Sequence, residues 1–145
     1  MQTSKAKRTI GWTLSILVGL FLIGGSGVPK FLDWPGKQEM MDHLGIPMGL
    51  LPTIGMIEIA VAALYLIPRT SFLGAILTTG YLGGAVFTHL RAGDELFGIL
   101  FPVIIGVLMW TGLALRRPIV FSLVLGNVPG CRPPEATSTE PQTAL

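Results

Sequence analysis

Of the 18 Asp, Glu, Lys and Arg residues in the chain, only Glu58 lies well inside an apolar run. An acid at such depth is costly, and intramembrane ionisable residues are partnered or functional. Glu58 lies ten residues from one end of its run, roughly 15 Å along a helix. Its helical neighbours Gly55, Ala62 and Tyr65 make a small-residue face, so the acid is expected to point inward. Desolvation favours a neutral carboxyl. Tyr81 sits at matching depth in the next run and is the expected hydrogen-bond partner, with Thr78 one turn away. Two roles fit: a packing acid, or a group that handles a ligand, a quinone or a proton.

A second polar group gathers at the end of the runs nearer residues 30–47. It comprises His43, His89, Asp42, Asp94 and Glu95, with Lys30 and Arg91 beside them. Histidine and carboxylate can ligate metals, but this spacing matches no known ligand motif, and no metal is assigned. His89 and Arg91 can instead rim a mouth above Glu58. Lys30 and Arg91 can attract an anion or headgroup there, or snorkel to the membrane surface. The single cysteine, Cys131, allows no internal disulfide or dithiol couple. GxxxxGK[ST], HExxH, GxSxG and a strand-borne GxGxxG are missing, so nucleotide, zinc or serine hydrolysis has no support.

The elements that must hold these groups follow from composition. Half of the 145 residues are hydrophobic and 12% are charged, against about 25% in soluble domains; mean hydropathy is +0.67. Four apolar runs, 10–28, 48–67, 72–90 and 96–115, have 19 or 20 residues each. A helix needs about 20 to cross hydrocarbon. The fold expected is all-α, a four-helix transmembrane bundle. The first run exceeds the usual apolar core of a cleaved signal peptide and is taken as a span. Alternating segments typical of a β-barrel do not occur.

Lys5, Lys7, Arg8, Arg69, Arg116 and Arg117 flank one side of the runs, against Lys30, Lys37 and Arg91 on the other. The positive-inside rule therefore places both termini in the cytoplasm. Trp12 and Trp34 fall near opposite membrane faces. Between the first two runs, residues 38–44 set Met40, Met41 and Leu44 on one side, which suits a short interfacial helix. Pro35-Gly36 opens it and Gly45 closes it. Residues 1–126 form the membrane domain, and the Pro/Thr/Ser-rich stretch 127–145 is expected to be a disordered cytoplasmic tail. A net charge of +2 without a basic, aromatic-interleaved patch argues against nucleic acid.

Small residues recur at helical spacing: Gly11, Ser15 and Gly19; Gly80, Gly84 and Thr88; Gly98, Pro102 and Gly106. Such faces let helices approach in lipid, within a bundle or across a homodimer. Pro102 cannot donate to the Gly98 carbonyl, so a kink is expected there.

The motifs HLGIP at 43–47, Pro52 through Ile54, Gly55 and Glu58, LIPRT at 66–70, LGAI at 73–76, TGYLGGAVFTHLRAGD at 79–94 and LFP at 100–102 resemble DoxX-like membrane proteins. The resemblance spans roughly residues 8–118 and is most specific in the 79–94 motif. It implies a small four-helix protein of the bacterial inner membrane. Some relatives are linked to oxidoreductase complexes, including the thiosulfate:quinone type; distant eukaryotic ones act in cargo transport or receptor assembly. Positions matching the family motifs are Glu58, Tyr81, Thr88, His89, Arg91 and Asp94.

The expectation is an outward-opening polar pocket with Glu58 and Tyr81 at its floor, and Thr88, His89 and Arg91 above. It would take a quinone or lipid-like ligand as an accessory subunit of a membrane redox system. The partners expected are a redox complex or further copies of the chain; the alternatives are a non-catalytic assembly or chaperone module, acting through its small-residue faces, and a small proton-coupled permease.

Overall fold

The computed structural model describes residues 5–124. The expected tail at 127–145 lies outside them. The described residues form helices α1 (Lys5–Leu20), α2 (Lys37–Leu44), α3 (Leu51–Leu66), α4 (Ser71–Ala92), α5 (Leu96–Arg116) and α6 (Pro118–Val124). The first continues beyond Leu20 as a wide π-helical segment, Phe21–Gly27, and a tight 3-10 turn, Val28–Phe31. Four helical stretches, Lys5–Phe31, Met48–Leu66, Ser71–Ala92 and Leu96–Arg116, are long and apolar enough to cross a bilayer.

Short connections after α3 and α4 fold these helices back on one another, and α5 then packs on α1. The wide end of α1 meets α3 and closes the ring. Val18, Leu22, Ala62, Tyr65, Ala75, Leu82, Ile105, Met109 and Leu113 fill the centre. Leu17, Leu20, Met56, Ile57, Leu73, Ile76, Ile104 and Val107 face outward, as expected when lipid is the solvent.

Close approach, rather than apolar burial, fixes the neighbours. A Cβ on Gly11 would lie 2.6 Å from the Arg116 backbone N, and one on Gly112 would lie 2.8 Å from Ser15 Oγ. A Cβ on Gly74 would run into the backbone of Leu64 and Tyr65, which seats α4 on α3. Gly11, Ser15 and Gly19 thus form a contact face, as their spacing suggests.

The other two small-residue faces do not serve this purpose. A Cβ on Gly80 or Gly84 would meet nothing within 4 Å. On Gly98 and Gly106 it would make only ordinary contacts, and Gly112 is the close-packed glycine of α5. Helix spacing identifies a face but not what lies opposite it. Pro102 is buried inside α5, which remains one helix from Leu96 to Arg116.

The short helix between the first two spans is present. Gly36 and Gly45 bracket α2 with φ of 85° and 64°, values that side chains with a Cβ disfavour. Gly45 N–H donates to Asp42 O and Ile46 N–H to Met41 O, closing the helix end. Met41 and Leu44 bury against Leu51. Met40 is 46% exposed but borders the same cavity as Met41 and Leu44.

Candidate functional site

A cavity of about 440 Å³ opens between the wide end of α1, α2, α3, α4 and α5. Its polar floor begins at Glu58, which is 1% exposed. Glu58 belongs to the buried stripe Leu51, Gly55, Glu58, Val61, Ala62 and Tyr65 of α3, so the acid does point into the bundle. Its partner, however, is not the expected tyrosine. Lys30 Nζ lies 2.6 Å from Glu58 Oε2. Lys30 therefore turns inward to pair with the acid rather than snorkelling.

The local sequence explains this inward turn. Gly24, Gly25, Ser26, Gly27 and Pro29 favour a regular helix poorly. The helix widens and then tightens, a deviation that recurs at functional sites. Gly27 and Gly55 bring the two segments together: a Cβ on Gly27 would be 2.8 Å from Ile59 Cγ1, and one on Gly55 would be 2.8 Å from the Phe31 ring. Lys30 Nζ also donates to Ser26 O at 3.0 Å and Ser26 Oγ at 2.9 Å. All three ammonium protons thus have acceptors, and Lys30 presents a fixed charge to the cavity rather than a free donor.

Tyr81, Thr88 and His89 share the cavity wall with Glu58, Lys30 and Ser26. Tyr81 is turned toward the Glu58 carboxylate from the same cavity wall. Thr88 Oγ1 donates to Gly84 O at 2.9 Å, leaving its lone pairs to the cavity. Gly80 and Gly84 keep this wall open, and Phe21, Leu22, Leu51, Ile54 and Phe101 supply apolar surface. Thr78 is wholly buried and does not line the cavity.

Arg91 is not among the lining residues. Its Nη2 donates to Leu44 O at 2.6 Å and packs over Gly45, tying down the end of α2. A second tie is Asp94. Gly93, with φ of 74°, turns the chain back so that Asp94 N–H donates to His89 O. Asp94 Oδ2 then meets His89 Nδ1 at 2.5 Å, and Oδ1 meets His43 Nε2 of α2 at 2.5 Å. The hydrogen bond from His89, and then that from His43, hold the Asp94 carboxyl below the usual aspartate range. Helix α2, with Met40, Met41 and Leu44 on the cavity, is fastened as its cover.

A larger space of about 700 Å³ lies along α4, α5 and α6. Its polar groups are already engaged: Trp110 Nε1 donates to Thr79 Oγ1, Thr79 to Ala75 O and Thr111 to Val107 O. It is a largely apolar groove lined by no charged side chain, whereas Lys30 and Glu58 lie in the smaller cavity.

Sequence reasoning missed Lys30 as the partner of Glu58, along with Ser26, Phe21 and Phe101. The one available signal was the Gly/Ser/Pro cluster at 24–29, which marks a helix unable to stay regular. Residues 13–112 match the model of the DoxX-like family. No curated protein and no solved structure matches the chain.

Proposed function

The chain belongs to the DoxX-like family and is a multi-pass membrane protein; from that premise we propose that its cavity binds a quinone or similar lipid-like molecule, as an accessory part of a membrane redox system. The observation that carries this reading is a buried Lys30–Glu58 pair at the floor of an otherwise largely apolar cavity. Pockets for small molecules combine apolar walls with a few placed polar groups. Tyr81 offers a hydroxyl donor to a carbonyl, Thr88 offers an acceptor, and the apolar walls suit a prenyl-like tail. A bound quinone supplies two-electron, two-proton chemistry. Glu58, with Lys30 as a fixed counter-charge, is the group able to take or release a proton beside it.

We place the protein in the bacterial inner membrane with both termini cytoplasmic, on the lysine and arginine asymmetry of its flanks. The test is to extract ligands from purified protein and measure binding of a short-chain quinone. Glu58→Gln and, separately, Tyr81→Phe should weaken binding by about tenfold each. A preparation that carries no quinone and binds it equally well after both substitutions would overturn the reading.

The permease alternative draws on the same pair, since a buried acid beside an open cavity can couple flux to protons. Proton-dependent solute uptake into vesicles, abolished by Glu58→Gln, would favour it. The assembly alternative would draw on Gly80 and Gly84, which are exposed and meet nothing within 4 Å in the chain; capture of one stoichiometric partner, lost on Gly80→Leu but kept on Glu58→Gln, would favour it.

A further inference from the structure

At the other end of the bundle, Arg8 and Trp12 of α1, Pro68 after α3, and Arg116 and Arg117 enclose a small cavity of about 290 Å³. Arg116 is 8% exposed. Its guanidinium carbon lies 4.7 Å from the centre of the Trp12 ring and 4.6 Å from that of Tyr65. Nη2 donates to Tyr65 O at 2.6 Å. Nε and Nη1 are buried and have no hydrogen-bond partner among the described residues. Aromatic faces stabilise the cation but do not replace acceptors for its N–H groups.

No acid among the described residues can answer this charge. Asp33, Glu39, Asp42, Asp94 and Glu95 lie in or beside the segments at the opposite end, and Glu58 is held by Lys30. Three arginines therefore converge on one cavity without an acidic side chain among the described residues. Such a cluster is stabilised by a ligand that brings negative charge and several acceptor oxygens.

We propose that this cavity binds a phosphate group, held by Arg8 and Arg117 at its rim and by Arg116 at its base. Guanidinium forks match the spacing of phosphate oxygens, and three of them suit a group with up to two negative charges. Trp12 beside the site is a residue type that settles at headgroup level. The phosphate comes from an anionic phospholipid headgroup or from a soluble phosphate compound; both present the same oxygens. This site is separate from the quinone cavity and stands or falls without it.

The test uses the full chain in a neutral detergent. Native mass spectrometry measures retention of phosphatidylglycerol, and thermal unfolding measures stabilisation by inorganic phosphate against chloride at equal ionic strength. Arg8→Gln/Arg117→Gln changes two side chains that are not buried, so the fold should survive; Arg116→Lys keeps the charge but loses the fork. Wild-type binding that falls at least about tenfold in the double variant, and also falls in Arg116→Lys, supports the site. Binding of phosphatidylglycerol alone then identifies a lipid headgroup, binding of inorganic phosphate alone identifies a soluble source, and binding of both supports a site that takes either. Failure of both ligands to bind, or equal binding by the wild type and the double variant, overturns it.

Discussion

Lys30 and Glu58, 28 positions apart in the chain, meet at 2.6 Å on the cavity floor. The acid is almost wholly enclosed, and the lysine side chain is 19% exposed. Neither residue can be removed alone without leaving a buried charge unmatched.

Lys30→Met or Glu58→Met should therefore each destabilise the protein by about 3–5 kcal/mol. Lys30→Met/Glu58→Met should recover most of that loss, because it removes both charges. Thermal unfolding in detergent across the four proteins measures the coupling. A double variant as unstable as the sum of the singles would show that the two side chains do not interact.

The glycines of α4 should separate by position. Gly74→Ala places a methyl into the backbone of Leu64 and Tyr65 and should cost about 1–3 kcal/mol or more. Gly84→Ala points into open space and should be neutral or stabilising by about 0.5–1 kcal/mol. The larger Gly84→Leu should keep the fold but occupy the cavity and weaken quinone binding. Unfolding midpoints and ligand retention on the same preparations distinguish the three.

The Asp94 tie predicts a pH dependence. Because hydrogen bonds from His89 and His43 lower the Asp94 pKa in the folded protein, its stabilising contribution is complete above the ordinary aspartate value and is lost as pH falls through the lowered one. The difference in unfolding midpoint between wild type and Asp94→Asn should stay constant from neutral pH down to about 4 and shrink only below that. A difference that closes already near pH 6 would rule out a lowered Asp94 pKa.

Tyr65 is a buried junction. Its hydroxyl lies 2.8 Å from Ser15 Oγ and 2.9 Å from Met109 O. A carbonyl can only accept, so the phenol donates to Met109 and accepts from Ser15. Tyr65→Phe leaves both groups without their partner and should cost about 1–3 kcal/mol, visible as a lower unfolding midpoint. Adding Ser15→Ala should cost little more.

The sequence by itself determined the solvent, the four helices and the inward face of Glu58. Those depend on local quantities: the length of an apolar run against the thickness of hydrocarbon, and the 3.6-residue repeat that sets Gly55, Ala62 and Tyr65 beside the acid. The tertiary structure decided the partners. Lys30 reaches Glu58 only because Phe21–Gly27 widens and Val28–Phe31 tightens before the chain turns away. Gly80 and Gly84 carry the same spacing as Gly11, Ser15 and Gly19, yet one face packs on a helix and the other borders a cavity. Asp94 meets His43, 51 positions earlier in the chain, and ties it to His89. A periodic pattern records which way a side chain points, whereas what it meets depends on the neighbouring helix, and that is set by close contacts between segments distant in sequence.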